Sequence, residues 1–194
     1  EQPYEKEFSA KVLGILEKKF VILDKTLFYP TSGGQEFDTG TLNGISVVNV
    51  TKNGNVILHE LSGPPNFGQG ATVIGKIDWE KRQALMRHHT ATHVLNASAR
   101  QVLGLHVWQA GAEKTPKRSR LDITHFRALT VEEEKKIEFL ANKVIMQDKP
   151  VHVRVMDRDQ AEKKYGFRLY QGGAVPGKKI RVIEVEGFDV EACG

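Results

Sequence analysis

The stretch HHTATH, His88 to His93, holds two imidazoles four positions apart, those of His89 and His93. On a helix that spacing puts both rings on one face, one turn apart, close enough to share a metal ion. His88 is turned away by about 100° per residue and lies outside the pair. Zinc takes four ligands from His, Cys and carboxylate, with water allowed in fourth place at a catalytic site. The single cysteine, Cys193, offers a thiolate of suitable softness. The fold must bring it to the helix, because it lies far downstream. The same residues also describe a helix with two polar side chains and a small core thiol. Among seven histidines a pair four apart arises readily by chance.

A second candidate is FYPTSGGQ, Phe28 to Gln35. Its aromatic pair, proline and glycine pair mark a tight loop after a strand, and glycines let a backbone approach a ligand closely. Thr31, Ser32 and Gln35 offer hydrogen-bonding groups beside Gly33 and Gly34. An ordinary surface turn has the same composition. The loop is no phosphate-binding P-loop, since the lysine is absent and the glycine spacing is wrong. KTPKRSR (Lys114 to Arg120) and PGKKIR (Pro176 to Arg181) gather positive charge in two loop-like stretches. Lys114, Lys117, Arg118, Lys178 and Lys179 are the candidate phosphate contacts, with solubility as the alternative use. There is no Gly-x-Ser-x-Gly elbow and no assignable carboxylate pair. Asp122 and His125, in a strand-like run, read as structural.

These residues need elements to position them. The first 78 residues read as β. FSAKVLGILEKKFVILDKT alternates around a turn at Glu17 to Lys19, and Asn43-Gly44 and Asn53-Gly54 each predict a hairpin of type I′. Several short antiparallel strands in so short a span predict a small barrel. Asp78 is an N-cap for a helix over Trp79 to Leu103, with Gly104 as its stop; this helix carries HTATH. LHVWQAGAE and RSRLDITHF read as strands. Thr130 and Glu133 form a capping box for a helix that buries Ile137, Leu140, Val144 and Ile145. VHVRVMD is a strand, Asp159 to Lys164 a short helix, and KKIRVIEVEGFDVEAC one or two strands. The expectation is therefore α+β, with a β-barrel subdomain over 1–78 and a core of antiparallel sheet packed on helices over 79–194.

Composition fits a soluble globular chain: 194 residues, 40% hydrophobic and 27% charged. No apolar run approaches the roughly 20 residues of a membrane span, so no membrane partner is expected. One cysteine rules out an internal disulfide framework and suits a reducing, cytoplasmic setting. A net charge of +4 permits a nucleic-acid partner without requiring one. The chain opens on Glu1 rather than Met, which reads as a piece of something longer.

Taken in order, FYPTSGGQEFDTGTL, HHTATHVLNASARQVLG, HVWQAGAEK with RLDITHF, and YGFRLYQGGAVPG with IRVIEVEGFDVEACG resemble the editing domain of alanyl-tRNA synthetase, which stand-alone AlaX proteins share. The resemblance covers nearly the whole chain, and its wording is closest to the archaeal type. It implies a small barrel followed by an α+β editing core similar to the editing region of threonyl-tRNA synthetase. It implies hydrolysis of mischarged seryl-tRNA(Ala), and of glycyl-tRNA(Ala), with the tRNA acceptor end as partner and the rest of a synthetase chain attached. Zinc is the implied cofactor, with His89, His93 and Cys193 as ligands and a fourth, a histidine four positions after Cys193, falling beyond Gly194. Thr31 matches the residue that reads the serine hydroxyl, within a substrate loop of Thr31, Ser32, Gly33 and Gly34. Gln35 is the candidate for holding water or substrate. A free-standing AlaX-type protein, a tRNA-binding module with a structural zinc, and a zinc hydrolase of small molecules are the alternatives.

Overall fold

A computed structural model describes residues 2–171, 173 and 177–193. Pro176, at the head of the second basic stretch, lies outside the described residues. The chain forms two compact units, residues 1–86 with 115–117, and residues 87–114 with 118–194.

In the first unit, six strands close into an antiparallel barrel: β1 (Glu7–Leu16), β2 (Phe20–Leu23), β3 (Gly40–Leu42), β4 (Ile45–Asn53), β5 (Val56–Leu61) and β6 (Thr72–Ile77). Their order round the barrel is β1-β2-β5-β4-β3-β6, closed by β1 against β6 from Glu7↔Lys76 to Lys11↔Thr72. Alternation explains the closure. β6 exposes Thr72, Ile74 and Lys76 and buries Val73, Gly75 and Ile77, the period-2 pattern of a strand with one face in a core. Val12, Val21, Leu42, Val47, Val50 and Val73 fill the centre with other apolar residues.

The hairpins show how loosely turn chemistry can be obeyed. Asn43 and Gly44 both have positive φ, 45° and 82°, as type I′ requires. Between β4 and β5 the expected turn shifts by one residue: Asn53 pairs with Val56, so Gly54 and Asn55 are central and only Gly54 has positive φ, 59°. One positive φ at the first central position is the type II′ pattern. Between β1 and β2, Glu17 and Lys18 take φ of 50° and 56° without an Asn or Gly, and the Lys19 N–H returns to the Leu16 carbonyl at 3.1 Å.

The helix α1 (Trp79–Leu103) has the expected bounds. Asp78 Oδ1 accepts from the Lys81 N–H at 3.2 Å, and Gly104, at φ 116°, follows the last turn. The division between the two units falls within this helix, after Met86. The second unit contains a hairpin of β7 (Gln109–Lys114) and β8 (Ser119–Ile123), the helices α2 (Val131–Met146) and α3 (Arg158–Tyr165), and a three-stranded antiparallel sheet of order β11-β10-β9. Those strands are β9 (Val151–Asp157), β10 (Lys179–Val185) and β11 (Asp189–Ala192). Val94 of α1, Ala141 and Val144 of α2 and Val185 of β10 pack as one cluster. The capping box of α2 is complete, with Thr130 and Glu133 bonded reciprocally. Its buried face is Ile137, Ala141 and Val144, whereas Ile145 is 54% exposed. Leu140 is half-buried at the edge of this face, packed against the cluster with Val94 and Val185. The fold is thus α+β with a barrel, as expected. Among the described residues no helix is long and apolar enough to cross a membrane.

Candidate metal centre

Three of the expected ligands come together in the second unit. His89 Nε2 lies 3.1 Å from Cys193 Sγ. The donor atoms of His89, His93 and Cys193 all fall within 4.8 Å of one another. The two rings are nearly parallel, at 10° with centroids 5.4 Å apart, as expected for neighbours one helical turn apart. His88 is not in the cluster.

The partner of this helix face is β11 and the residue after it. Asp189, Glu191 and Cys193 alternate with Val190 and Ala192, so all three present to one side of the strand. They meet α1 in reverse order: Cys193 faces His89, Glu191 faces His93 and Asn96, and Asp189 faces Arg100. Two strand residues span about 6.7 Å and four helix residues about 6 Å, so the two spacings nearly match. The strand is held in this register by β10, through Ile183↔Glu191 and Val182↔Ala192, and the Cys193 N–H donates to the Arg181 carbonyl at 3.0 Å.

Behind the ligands lies a buried polar network. Glu191 is fully buried. One of its oxygens makes a very short contact with His93 Nδ1, and the other accepts from Asn96 Nδ2 at 2.7 Å. Arg100 Nη1 and Nη2 stand 3.9 Å from Asp189 and Glu191 respectively. Burial pushes the Cys193 thiol up, but hydrogen bonds with His89 and His93 outweigh it and bring it down to about 5. Burial pushes His93 down, and Cys193 and Glu191 together raise it to about 10. Burial, reinforced by the charge of Glu191, lifts Asp189 to about 8. One cysteine sulfur and two histidine nitrogens within 4.8 Å of one another are a donor set that zinc favours. These residues fit the ion.

The glycine-rich loop is in the first unit. Thr31 is exposed and its N–H donates to the Val50 carbonyl at 3.2 Å. Ser32 and Gln35 bond each other's backbones at 3.2 and 2.9 Å around Gly33 and Gly34, whose φ are 58° and 74°. Gln35 is 5% exposed, so its side chain is largely withdrawn from solvent. A buried ion pair anchors the loop. Arg82 Nε reaches both Asp38 oxygens, at 2.9 and 3.0 Å, and its Nη1 donates to the Pro3 carbonyl at 3.0 Å. Asp38 Oδ2 also accepts from the Tyr29 N–H at 2.6 Å.

The basic residues divide. Lys117, Arg118, Lys178 and Lys179 are exposed. Lys114 is 2% exposed, in the field of Cys193 and Glu191, and burial pushes its ammonium below the usual lysine range. This corrects the expectation of a phosphate contact at Lys114: a charge enclosed by protein at the end of β7 does not face a nucleic-acid backbone. Asp122 pairs with Arg120 at 3.2 Å, and His125 with His106 at 2.8 Å, both as structural contacts. Sequence reasoning missed Glu191, Asn96 and Arg100. The signal was present in DVEAC, where alternation puts two acids on the cysteine's side of the strand.

Comparison with known proteins bears on this cluster. The family described as tRNA synthetases class II (A) matches residues 2–81. Alanine–tRNA ligase of Methanococcus maripaludis is 52% identical over 192 residues, 99% of this chain and 21% of that protein. The ligase of Pyrococcus furiosus is 51% identical over 198 residues, covering 100% of this chain and 22% of its own length. That of Methanocella arvoryzae is 52% identical over 196 residues, with the same coverage. By sequence, the chain is similar over its length to one part of alanine–tRNA ligases. It spans about a fifth of the length of these relatives. The alanyl-tRNA synthetase-type match runs through both units, so the loop with Thr31 and the cluster with Cys193 both lie inside it.

Proposed function

We propose that this chain hydrolyses the ester of mischarged seryl-tRNA(Ala), and of glycyl-tRNA(Ala), as the editing domain of an alanyl-tRNA synthetase. The observation that carries the proposal is the convergence of His89, His93 and Cys193 across 104 positions of sequence in a chain that matches alanine–tRNA ligases from end to end. His89, His93 and Cys193 would hold zinc. Bound zinc would supply Lewis acidity toward a carbonyl or water.

The task suits the physics of selection. A site built for alanine rejects weakly an amino acid that adds a hydroxyl or lacks a methyl. A second site that hydrogen-bonds the serine hydroxyl discriminates in the opposite sense, because alanine leaves a polar group unpaired at about 1–3 kcal/mol. Thr31, whose loop is held by the Asp38–Arg82 pair, is the residue assigned to that hydroxyl. Lys117, Arg118, Lys178 and Lys179 are assigned to phosphates of the acceptor end, contacts that weaken with salt.

The test is deacylation of seryl-, glycyl- and alanyl-tRNA(Ala), side by side, by the 194-residue chain with added zinc. Loss of serine and glycine with alanine spared is the expected result. In Thr31→Val the serine and alanine rates converge. Equal rates on all three substrates in the unaltered chain, or no hydrolysis of any, would overturn the proposal.

A further inference from the structure

We infer that Glu191 is a positioning residue for the metal centre: with Asn96 it fixes the ring of His93 so that Nε2 faces the ion. This rests on the zinc reading above. The argument begins with the two nitrogens of an imidazole. A neutral ring donates from one and offers a lone pair at the other, and its hydrogen bond decides which is which. His93 Nδ1 is in short contact with a Glu191 carboxylate oxygen. A carboxylate accepts, so Nδ1 carries a hydrogen toward Glu191, and in the neutral ring Nε2 is the nitrogen that offers its lone pair to a metal. Metal-bound histidines are commonly held in this way, by a carboxylate on the ring nitrogen away from the ion.

Glu191 could itself have been a ligand, since His93, Asp189 and Glu191 also have donor atoms within 4.8 Å of one another. The geometry argues otherwise. Both Glu191 oxygens already have protein partners, His93 on one and Asn96 on the other, with Arg100 Nη2 at 3.9 Å. These bonds hold the buried carboxylate against His93 and Asn96. Asn96 adds an independent observation. Its Nδ2 serves Glu191 while its buried Oδ1 has no hydrogen-bond partner among the described residues. An unmade bond of that kind is costly, so the amide is oriented for the carboxylate at the expense of its own acceptor.

The experiment measures zinc affinity by competition with a chromophoric chelator for the unaltered chain, Glu191→Gln and Asn96→Ala. Zinc content per chain and metal-free thermal unfolding are recorded alongside. Glu191→Gln keeps shape but offers a weaker acceptor to Nδ1–H. The expected result is a dissociation constant about 10–100-fold higher, one zinc per chain still bound at saturation, and a smaller loss of the same sign in Asn96→Ala. Asn96→Ala carries the test if Glu191→Gln fails to fold. Lowered thermal stability with an unchanged zinc constant would make the network merely structural and overturn the inference. Two ions in the unaltered chain and one in Glu191→Gln would make Glu191 a ligand and overturn it as well. Absence of zinc from the unaltered chain would instead bring down the metal reading on which the inference stands.

Discussion

Removing the Asp38 carboxylate tests how the glycine-rich loop is held. Asp38 is fully buried and Arg82 is 5% exposed. In Asp38→Ala the guanidinium keeps its bond to the Pro3 carbonyl but loses its counter-charge, and the Tyr29 N–H loses its acceptor. Leaving one member of a buried ion pair uncompensated costs about 3–5 kcal/mol. An unsatisfied amide costs about 1–3 kcal/mol. The two overlap, since relaxation that admits water to one admits it to the other, so the expected loss is about 4 kcal/mol. That is a large share of the roughly 5–15 kcal/mol of a typical domain. The assay is urea unfolding followed by Trp79 fluorescence in a Trp108→Phe background, so that the signal comes from the first unit. Arg82→Met and the double variant complete a cycle. Once both charges are gone there is no orphan to bury, so the double variant is less destabilised than the sum of the singles by at least about 1 kcal/mol. A loss below about 1 kcal/mol in Asp38→Ala, or strict additivity in the cycle, would refute the reasoning and show the pair to be solvated.

Four further outcomes follow from the structure. His59 is fully buried, with Nδ1 donating to the Val21 carbonyl at 3.0 Å and Nε2 meeting Thr26 Oγ1 at 2.8 Å; burial lowers its pKa. A lowered folded value means that the unfolded chain takes up the proton first. This contribution is therefore whole above the unfolded value of about 6.5 and is lost as pH falls from there through the folded value. Unfolding midpoints between pH 7.5 and pH 5 should fall less steeply in His59→Gln than in the unaltered chain. Lys18→Gly removes a side chain from a φ of 56° and should raise stability by about 0.5–1 kcal/mol in the same urea assay. Thr130→Ala, which opens the capping box of α2, should cost about 1 kcal/mol, seen as faster amide exchange at Glu133. His89→Ala and Cys193→Ser should each weaken zinc binding by more than the 10–100-fold typical of an outer partner, measured by chelator competition.

Much of this was legible because local rules and tertiary packing agree. The limits of α1 follow from Asp78 and Gly104, and those of α2 from Thr130 and Glu133, since cap chemistry acts within one turn. The barrel followed from alternation and Asn-Gly pairs, although the β4–β5 turn moved by one residue because cross-strand pairing decides which residues are central. Ile145 fitted the helical period but sits at the edge of the buried stripe, where period alone does not say how wide the stripe is. Lys114 shows the limit of composition. It opens a basic run, yet it ends a strand, and the strand's face decided its burial. Cys193 has the chemistry to join His89 and His93, but no local rule joins residues so far apart, so only the resemblance implied that the fold brings them together. Glu191 and Asn96 act through a partner that only the folded chain supplies.

The antiparallel match of DVEAC to α1 has a consequence for insertions and deletions. One residue added or lost between Asp189 and Cys193 would turn part of the strand over, sending either the thiol or the carboxylates to the opposite face. One residue added between His89 and His93 would swing a ring by about 100°. The centre is thus rigidly spelled inside two short words, one on a helix and one on a strand. Between Arg100 and Arg181 its spelling is freer, and the loops there can lengthen or shorten so long as the sheet still lies against the helix. A scan of single-residue insertions along that span would read as a map of this grammar, with tolerance in the loops and abrupt loss of metal binding within either word.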